Sequence, residues 1–218
     1  MGRKVPLVLF KFMKPLYIVI ILIIIAIIAE GIYQLNRRYK RGLIQNKLMQ
    51  LLMNGNFKEF EEYADSFEVK TNIKPFNLEY IKMNEAIMLN DSKKLENSFK
   101  KLLDMKMSDE QKEEVYLNCF NHYIDTNASK RAEQFKDYLI KNSKNSSLKT
   151  YVQRVYDVKI EHSSKYLEEM LKELENNNIN KATHYLLIAE MYKNKNDNEN
   201  STKYYNLYNE YMKTKSNS

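Results

Sequence analysis

The stretch that most clearly indicates the fold is residues 181–212, which read KATHYLLIAEMYKNKNDNENSTKYYNLYNEYM. Apolar and aromatic residues recur three and four positions apart on both sides of a short polar break, as is typical of amphipathic helices. The stretch therefore predicts two helices joined by a tight turn. The same pattern occurs five times, roughly every 35 residues, a spacing typical of helical repeats. The five predicted turns are Asn54-Gly55-Asn56, Asn90-Asp91, Thr126-Asn127, Glu161-His162 and Asn196-Asp197.

A repeat of this length predicts a stacked solenoid, because a single hairpin cannot bury its own apolar face. The chain has only 4 Gly and 3 Pro among 218 residues, and this scarcity of helix breakers favours an all-α fold. The predicted helix pairs are Arg41–Met53 with Phe57–Phe67, Asn77–Leu89 with Lys93–Leu103, Asp109–Ile124 with Ser129–Ile140, Leu148–Ile160 with Ser164–Leu174, and Lys181–Lys193 with Glu199–Met212.

The last repeat also carries a family resemblance. Tyr185, Ile188, Ala189 and Tyr192 have the spacing of aromatic, aliphatic, small and aromatic positions in a first helix, and Ser201 is the small residue of the second. The chain thus resembles the tetratricopeptide repeat family, whose unit is a pair of antiparallel helices of about 34 residues. The resemblance implies an all-α solenoid of about five hairpins over residues 36–212. The residues after it, 213–218, are polar and predict a tail. The earlier repeats depart from the family by placing Leu48, Met83 and Phe120 at the small position.

A charge-free apolar segment, residues 15–29, precedes the repeats. Extended to residue 35, it reaches the roughly 20 residues that a helix needs to cross a bilayer. The sequence therefore predicts a single transmembrane helix at 15–35, after a basic N-terminal tail at 1–14. The alternative is a signal peptide cleaved after Ala29, which would release a secreted interaction protein.

The net positive charge of the chain comes from its first 41 residues. The net charge is +7, and residues 1–41 contain eight bases and one acid, Glu30, so that the remainder is neutral. A neutral solenoid lacks the positive field that drives binding to phosphates, so nucleic acid is not an expected partner. Both flanks of the span are basic and both favour the cytoplasm. The two orientations are nearly balanced, and the four bases of the N-terminal tail favour a solenoid on the extracytoplasmic side of the cell membrane.

Catalytic motifs are missing from the sequence. It contains no glycine-rich phosphate loop and no helix with paired histidines. His122, His162 and His184 fall in three different repeats, and Cys119 lies in a helical apolar pattern where we expect a core residue. We therefore predict no enzyme activity, no cofactor, no metal site and no small-molecule substrate. An enzyme with an unrecognised site in the concave face is the less favoured alternative.

The resemblance also implies where a partner would bind. In the tetratricopeptide family a ligand groove is lined by first-helix residues that face the inner curve. The corresponding positions here are Gln45, Met49, Tyr80, Asn84, Leu117, Asn121, Val152, Tyr156, Leu186 and Glu190. Tyr80 and Tyr156 would supply aromatic contact area, Asn84 and Asn121 would bond a peptide backbone, and Glu190 is the titratable group among them. The expected function is a membrane-tethered scaffold that binds a peptide or protein partner.

Overall fold

The computed structural model describes the backbone of residues 8–175 and 180–216 and the side chains of residues 23–175 and 180–215. These residues form eleven helices and no strand, which confirms the all-α prediction. The helices are α1 (Val8–Met53), α2 (Phe57–Ala64), α3 (Phe67–Asn72), α4 (Pro75–Met88), α5 (Ser92–Leu103), α6 (Asp109–Asp125), α7 (Ser129–Asn142), α8 (Ser146–Lys159), α9 (Leu167–Glu173), α10 (Lys181–Asn194) and α11 (Asn198–Ser216).

Each of the five predicted turns contains one residue in the left-handed region. The φ angles are 72° at Gly55, 51° at Asn90, 53° at Asn127, 52° at His162 and 61° at Asn196. In the second turn the N–H of Asn90 donates to the Ile87 carbonyl at 3.0 Å, and the N–H of Asp91 donates to the Ala86 carbonyl at 2.9 Å. The same pair of bonds occurs around Gly55, Asn127 and Asn196, and it is the Schellman arrangement that ends a helix. The predicted turns are therefore confirmed.

The second helix of the first hairpin is shorter than predicted. We expected Phe57–Phe67, but α2 ends at Ala64 and a separate helix, α3, begins at Phe67. Ser66 has an extended backbone, and its hydroxyl accepts the N–H of Val69 at 3.3 Å, so it caps the new helix. The prediction missed this cap because the apolar spacing continues through it.

The second helix of the fourth hairpin is also shorter. It was predicted from Ser164, but α9 begins at Leu167. The N–H of Ser163 reaches the carbonyl of Asp157, and the side chains of Lys165 and Tyr166 bond the carboxylate of the same residue. These contacts hold residues 163–166 in a loop. At the chain end α11 continues to Ser216, so the predicted polar tail begins within a helix.

Helix α1 runs for 46 residues without a break. It joins the predicted span directly to the first helix of the first hairpin. Residues 23–39 are all exposed, including six isoleucines that are 50–65% exposed: Ile23, Ile24, Ile25, Ile27, Ile28 and Ile32. Among the residues that the structure describes, none of the helices offers a stretch long and apolar enough to cross a membrane. Residues 15–22 of the predicted span lie outside those with described side chains.

The chain forms two compact units, Met1–Met105 and Lys106–Ser218. In the first unit, α1 packs against α2 and α3, and α4 packs against α5. The core of this unit contains Ile44, Leu48, Leu52, Phe60, Ala64, Val69, Ile73 and Ile81. Burial of these side chains, each worth about 1.5–3 kcal/mol, holds the short helix α3 against the C-terminal part of α1.

In the second unit, each hairpin packs on the next one along the chain. The first helices α6, α8 and α10 are neighbours in that order, and α7 packs on α8 as α9 packs on α10. Cys119 is fully buried in this unit, as predicted, beside the fully buried Phe120. The unit therefore places three successive first helices side by side.

Candidate peptide-binding pocket in the second unit

A pocket of about 660 Å³ lies where the three first helices of the second unit meet. Leu117 and Asn121 come from α6, Thr150, Tyr151 and Arg154 from α8, and His184 and Leu187 from α10. Met170 and Glu173 of α9 complete the wall. We call this cavity the α6–α8–α10 pocket.

Two helices begin at the rim of this pocket. The side chain of Asn145 caps α8 by accepting the N–H of Leu148 at 3.1 Å, and Asn180 caps α10 by accepting the N–H of Thr183 at 3.3 Å. These caps place Ser146 and Thr183, both in first helical turns, on the pocket wall. The wall therefore carries hydroxyl groups that can both donate and accept hydrogen bonds.

One side of the pocket holds a closed network of charges. Arg154 makes two bonds of 2.9 Å to the carboxylate of Glu173 and one of 2.7 Å to Glu169. Nε2 of His184 lies 2.8 Å from Glu173 Oε2, and its Nδ1 lies 3.1 Å from the Asn180 carbonyl. The hydrogen bonds from Arg154, and then the bond from His184, hold the pKa of Glu173 below its usual range despite its burial. The network ties α8, α9 and α10 together. Within it, Arg154 is already paired with two carboxylates, those of Glu169 and Glu173.

Another part of the pocket wall is polar and uncharged. The hydroxyl of Tyr151 donates to Oδ1 of Asn121 at 3.2 Å. Burial raises the pKa of Tyr151, so this phenol stays protonated at neutral pH. The bond orients the Asn121 amide, and no hydrogen bond of its Nδ2 group is found in the described part of the chain. An amide donor held in this way suits a peptide carbonyl.

The predicted site residues fall in different places. Asn121 and Leu117 line the α6–α8–α10 pocket. Tyr156 is 5% exposed and lies under Lys136, whose Nζ is 4.0 Å from the ring centroid, so it offers no open aromatic surface. Glu190 is engaged by the hydroxyl of Tyr205, a bond that adds to burial in raising the pKa of that tyrosine.

Tyr80 and Asn84 belong to α4 in the first unit. Tyr80 is half-buried and stacks on Phe76 with ring centroids 6.0 Å apart, and Asn84 is half-buried one helical turn further on. Of the pocket residues in the second unit, the prediction named only Leu117 and Asn121; Thr150, Tyr151, Arg154 and His184 are among those that it missed. No signal in the sequence joined His184 to Arg154, because their contact passes through Glu173 of a third helix.

No group of three or more His, Cys, Asp or Glu side chains within the described ranges could hold a metal ion. Comparison with protein-family models, curated proteins and solved structures found no match. The resemblance to tetratricopeptide repeats therefore stays a prediction from the residues of the repeats.

Proposed function

We propose that this protein is a non-enzymatic scaffold of tetratricopeptide-like hairpins, tethered by a single transmembrane helix, that binds a segment of a peptide or protein partner. The observation that carries the proposal is the α6–α8–α10 pocket, whose walls come from three successive first helices. First-helix walls are what the family resemblance implies for a ligand groove.

The chemistry of the pocket favours a neutral peptide segment. Its volume of about 660 Å³ falls in the range of roughly 300–1,000 Å³ that ligand pockets occupy. Leu117, Met170 and Leu187 supply apolar contact area, and Asn121 and Thr150 supply groups that bond a backbone amide. Arg154 is already neutralised by Glu169 and Glu173, so the pocket residues that the structure describes include no free cation for an acidic ligand. A short apolar segment with its backbone amides exposed fits these walls.

The exposed part of α1 supports the membrane tether. Six isoleucines between residues 23 and 32 are at least half exposed, and burial of each in lipid would gain up to about 1.5–3 kcal/mol. The proposed span covers residues 15–35, and the hairpins lie on the extracytoplasmic side. Tethering raises the effective concentration of the pocket for partners at the same membrane. The rival is a secreted form beginning at Glu30, which the intact mass of the mature chain would reveal.

The pocket is tested by photocrosslinking in intact cells from residue 150, with Lys130 on the exposed face of α7 as the matched control position. We expect a partner that crosslinks from residue 150 and not from residue 130. A peptide from that partner should bind the purified full chain, and Thr150→Trp should weaken binding at least about tenfold because the indole fills the cavity. Equal crosslinking from both positions, or unchanged affinity in Thr150→Trp, would contradict the assignment of the pocket.

The tether is tested by alkaline carbonate extraction of membranes. We expect the full chain to stay in the membrane fraction and a variant with Ile23, Ile24, Ile27 and Ile28 changed to Asn to be released, since each polar replacement removes a favourable transfer to lipid. A variant with Leu at the same four positions should remain membrane-bound. These side chains are exposed in the structure, so the replacements remove no core contact. Release of the unaltered chain would contradict the tether.

A further inference from the structure

A second cavity, about 370 Å³, lies in the first unit between α1 and α3. It is lined by Tyr33, Asn36, Arg37, Lys40, Thr71 and Asn72. We call it the α1–α3 pocket. The function proposed above makes no use of it.

The α1–α3 pocket exists because α3 is held against α1. Val69 and Ile73 are buried in the core of the first unit, and the cap at Ser66 sets where α3 begins. At the opposite end of this short helix, Thr71 and Asn72 turn back to bond carbonyls of the preceding turn at 2.8 Å each. These bonds fix both side chains at the pocket wall.

The pocket has the charge that a phosphate group requires. Arg37 and Lys40 lie three residues apart on α1, so their side chains share one face of the helix. Glu68 lies 3.6 Å from Lys40, and both groups are about half exposed, which makes this a weak ion pair. Arg37 has no ion-pair partner in the described part of the chain. A phosphate could therefore accept hydrogen bonds from a free guanidinium and from a neighbouring ammonium.

The position along α1 places these bases at the level of lipid headgroups. If the span ends at residue 35, Arg37 lies about 3 Å and Lys40 about 7.5 Å further along the helix. The headgroup layer on each side of the hydrocarbon core is about 5–8 Å thick. Tyr33, Tyr39 and Phe67 are 58%, 71% and 84% exposed, and aromatic side chains are enriched at this interface.

We propose that the α1–α3 pocket binds the phosphate of an anionic phospholipid through Arg37 and Lys40, and so holds the first hairpin against the bilayer surface. This proposal rests on the proposed membrane span. An anionic headgroup is favoured over phosphatidylcholine because the choline cation would lie beside two bases. The bound lipid would limit how far the first hairpin can tilt relative to the bilayer surface.

The experiment compares Arg37→Gln with Arg38→Gln. The two residues are adjacent, carry the same charge and are both exposed, but only Arg37 lines the pocket. The full chain is purified in an uncharged detergent, where no membrane surface potential acts. Native mass spectrometry then measures phosphatidylglycerol and phosphatidylcholine retained per protein, with and without inorganic phosphate. Circular dichroism checks that both variants keep the helix content of the unaltered chain.

We expect the unaltered chain to retain phosphatidylglycerol over phosphatidylcholine. Arg37→Gln should weaken retention about tenfold or more, as for loss of a charge-assisted hydrogen bond, and Arg38→Gln less than about twofold. Equal effects of the two variants would overturn the pocket and leave the tether intact. Binding of inorganic phosphate to the unaltered chain without retention of phosphatidylglycerol would overturn the lipid as the source of the phosphate. Extraction of the unaltered chain by carbonate would overturn both the tether and this site.

Discussion

At the scale of single residues, Asp157 shows how one buried carboxylate shapes a hairpin. Its side chain is 8% exposed and accepts bonds from Gln153 at 2.7 Å and Tyr166 at 2.6 Å, with Lys165 Nζ at 2.8 Å. Burial alone would raise the pKa of Asp157, but the hydrogen bonds from Lys165, Tyr166 and Gln153 together lower it. The ionised carboxylate is therefore what holds residues 163–166 in a loop.

This arrangement makes a prediction about acid stability. A carboxyl with a lowered folded-state pKa contributes stability above its unfolded pKa of 3.8 and loses it as the pH falls through the folded value. Asp157→Asn should lower the free energy of unfolding by about 1–3 kcal/mol at pH 7, and the difference should shrink below pH 3.8. Denaturant unfolding of the full chain in detergent, at pH 7 and at a pH below 3.8, measures the difference in free energy of unfolding between Asp157→Asn and the unaltered chain.

Asp137→Asn is the control, since that carboxylate is 68% exposed and, among the described residues, pairs only with its neighbour Lys136. Its stability should differ little from that of the unaltered chain at either pH. If Asp157→Asn lowers the free energy of unfolding by the same amount at both pH values, the charge of Asp157 is not the stabilising feature.

At the scale of the elements, the five turns are the part of the fold that sequence reasoning located best. A residue in the left-handed region follows every first helix: Asn in three turns, Gly in one and His in one. This signal is local, because a Schellman turn depends on the backbone of six consecutive residues. The boundaries at α3 and α9 were wrong because the Ser66 cap and the contacts of Asp157 compete with a continuing apolar pattern.

The turns make a second prediction. Asn127 has φ 53°, and its N–H donates to the Ile124 carbonyl at 3.1 Å. Asn127→Val should destabilise the second unit by about 1–2 kcal/mol because a β-branched side chain is strained there. Asn127→Gly should be nearly neutral, since glycine adopts this region freely. Thermal unfolding of both variants measures the difference, and equal melting temperatures would show that the turn is not strained by valine.

At the scale of the whole molecule, the side of the membrane on which the hairpins lie decides which partners the α6–α8–α10 pocket can meet. The basic residues on both flanks of the apolar segment nearly balance in their preference for the cytoplasm. Thiol labelling can decide between the two membrane orientations because Cys119, the single cysteine, is fully buried. The native chain therefore supplies an unreactive background.

We predict that Asn209→Cys, an exposed position on α11, reacts with a membrane-impermeant maleimide in intact cells. The expected result follows from hairpins on the extracytoplasmic side, and the unaltered chain should remain unlabelled. Reaction only after the cells are permeabilised would show that the hairpins lie on the cytoplasmic side. It would leave the span itself in place.

The amino-acid sequence by itself determined the helical class, the five turns, the burial of Cys119, and the apolar and basic segments at the start of the chain. These features depend on backbone geometry and side-chain polarity over a few consecutive residues. Only the tertiary structure decided that Tyr156 is covered by Lys136, that Arg154, Glu173 and His184 form one network, and that α3 completes a basic pocket on α1. These contacts join residues 11 to more than 30 positions apart, so they follow from how helices pack, which a repeat pattern does not specify.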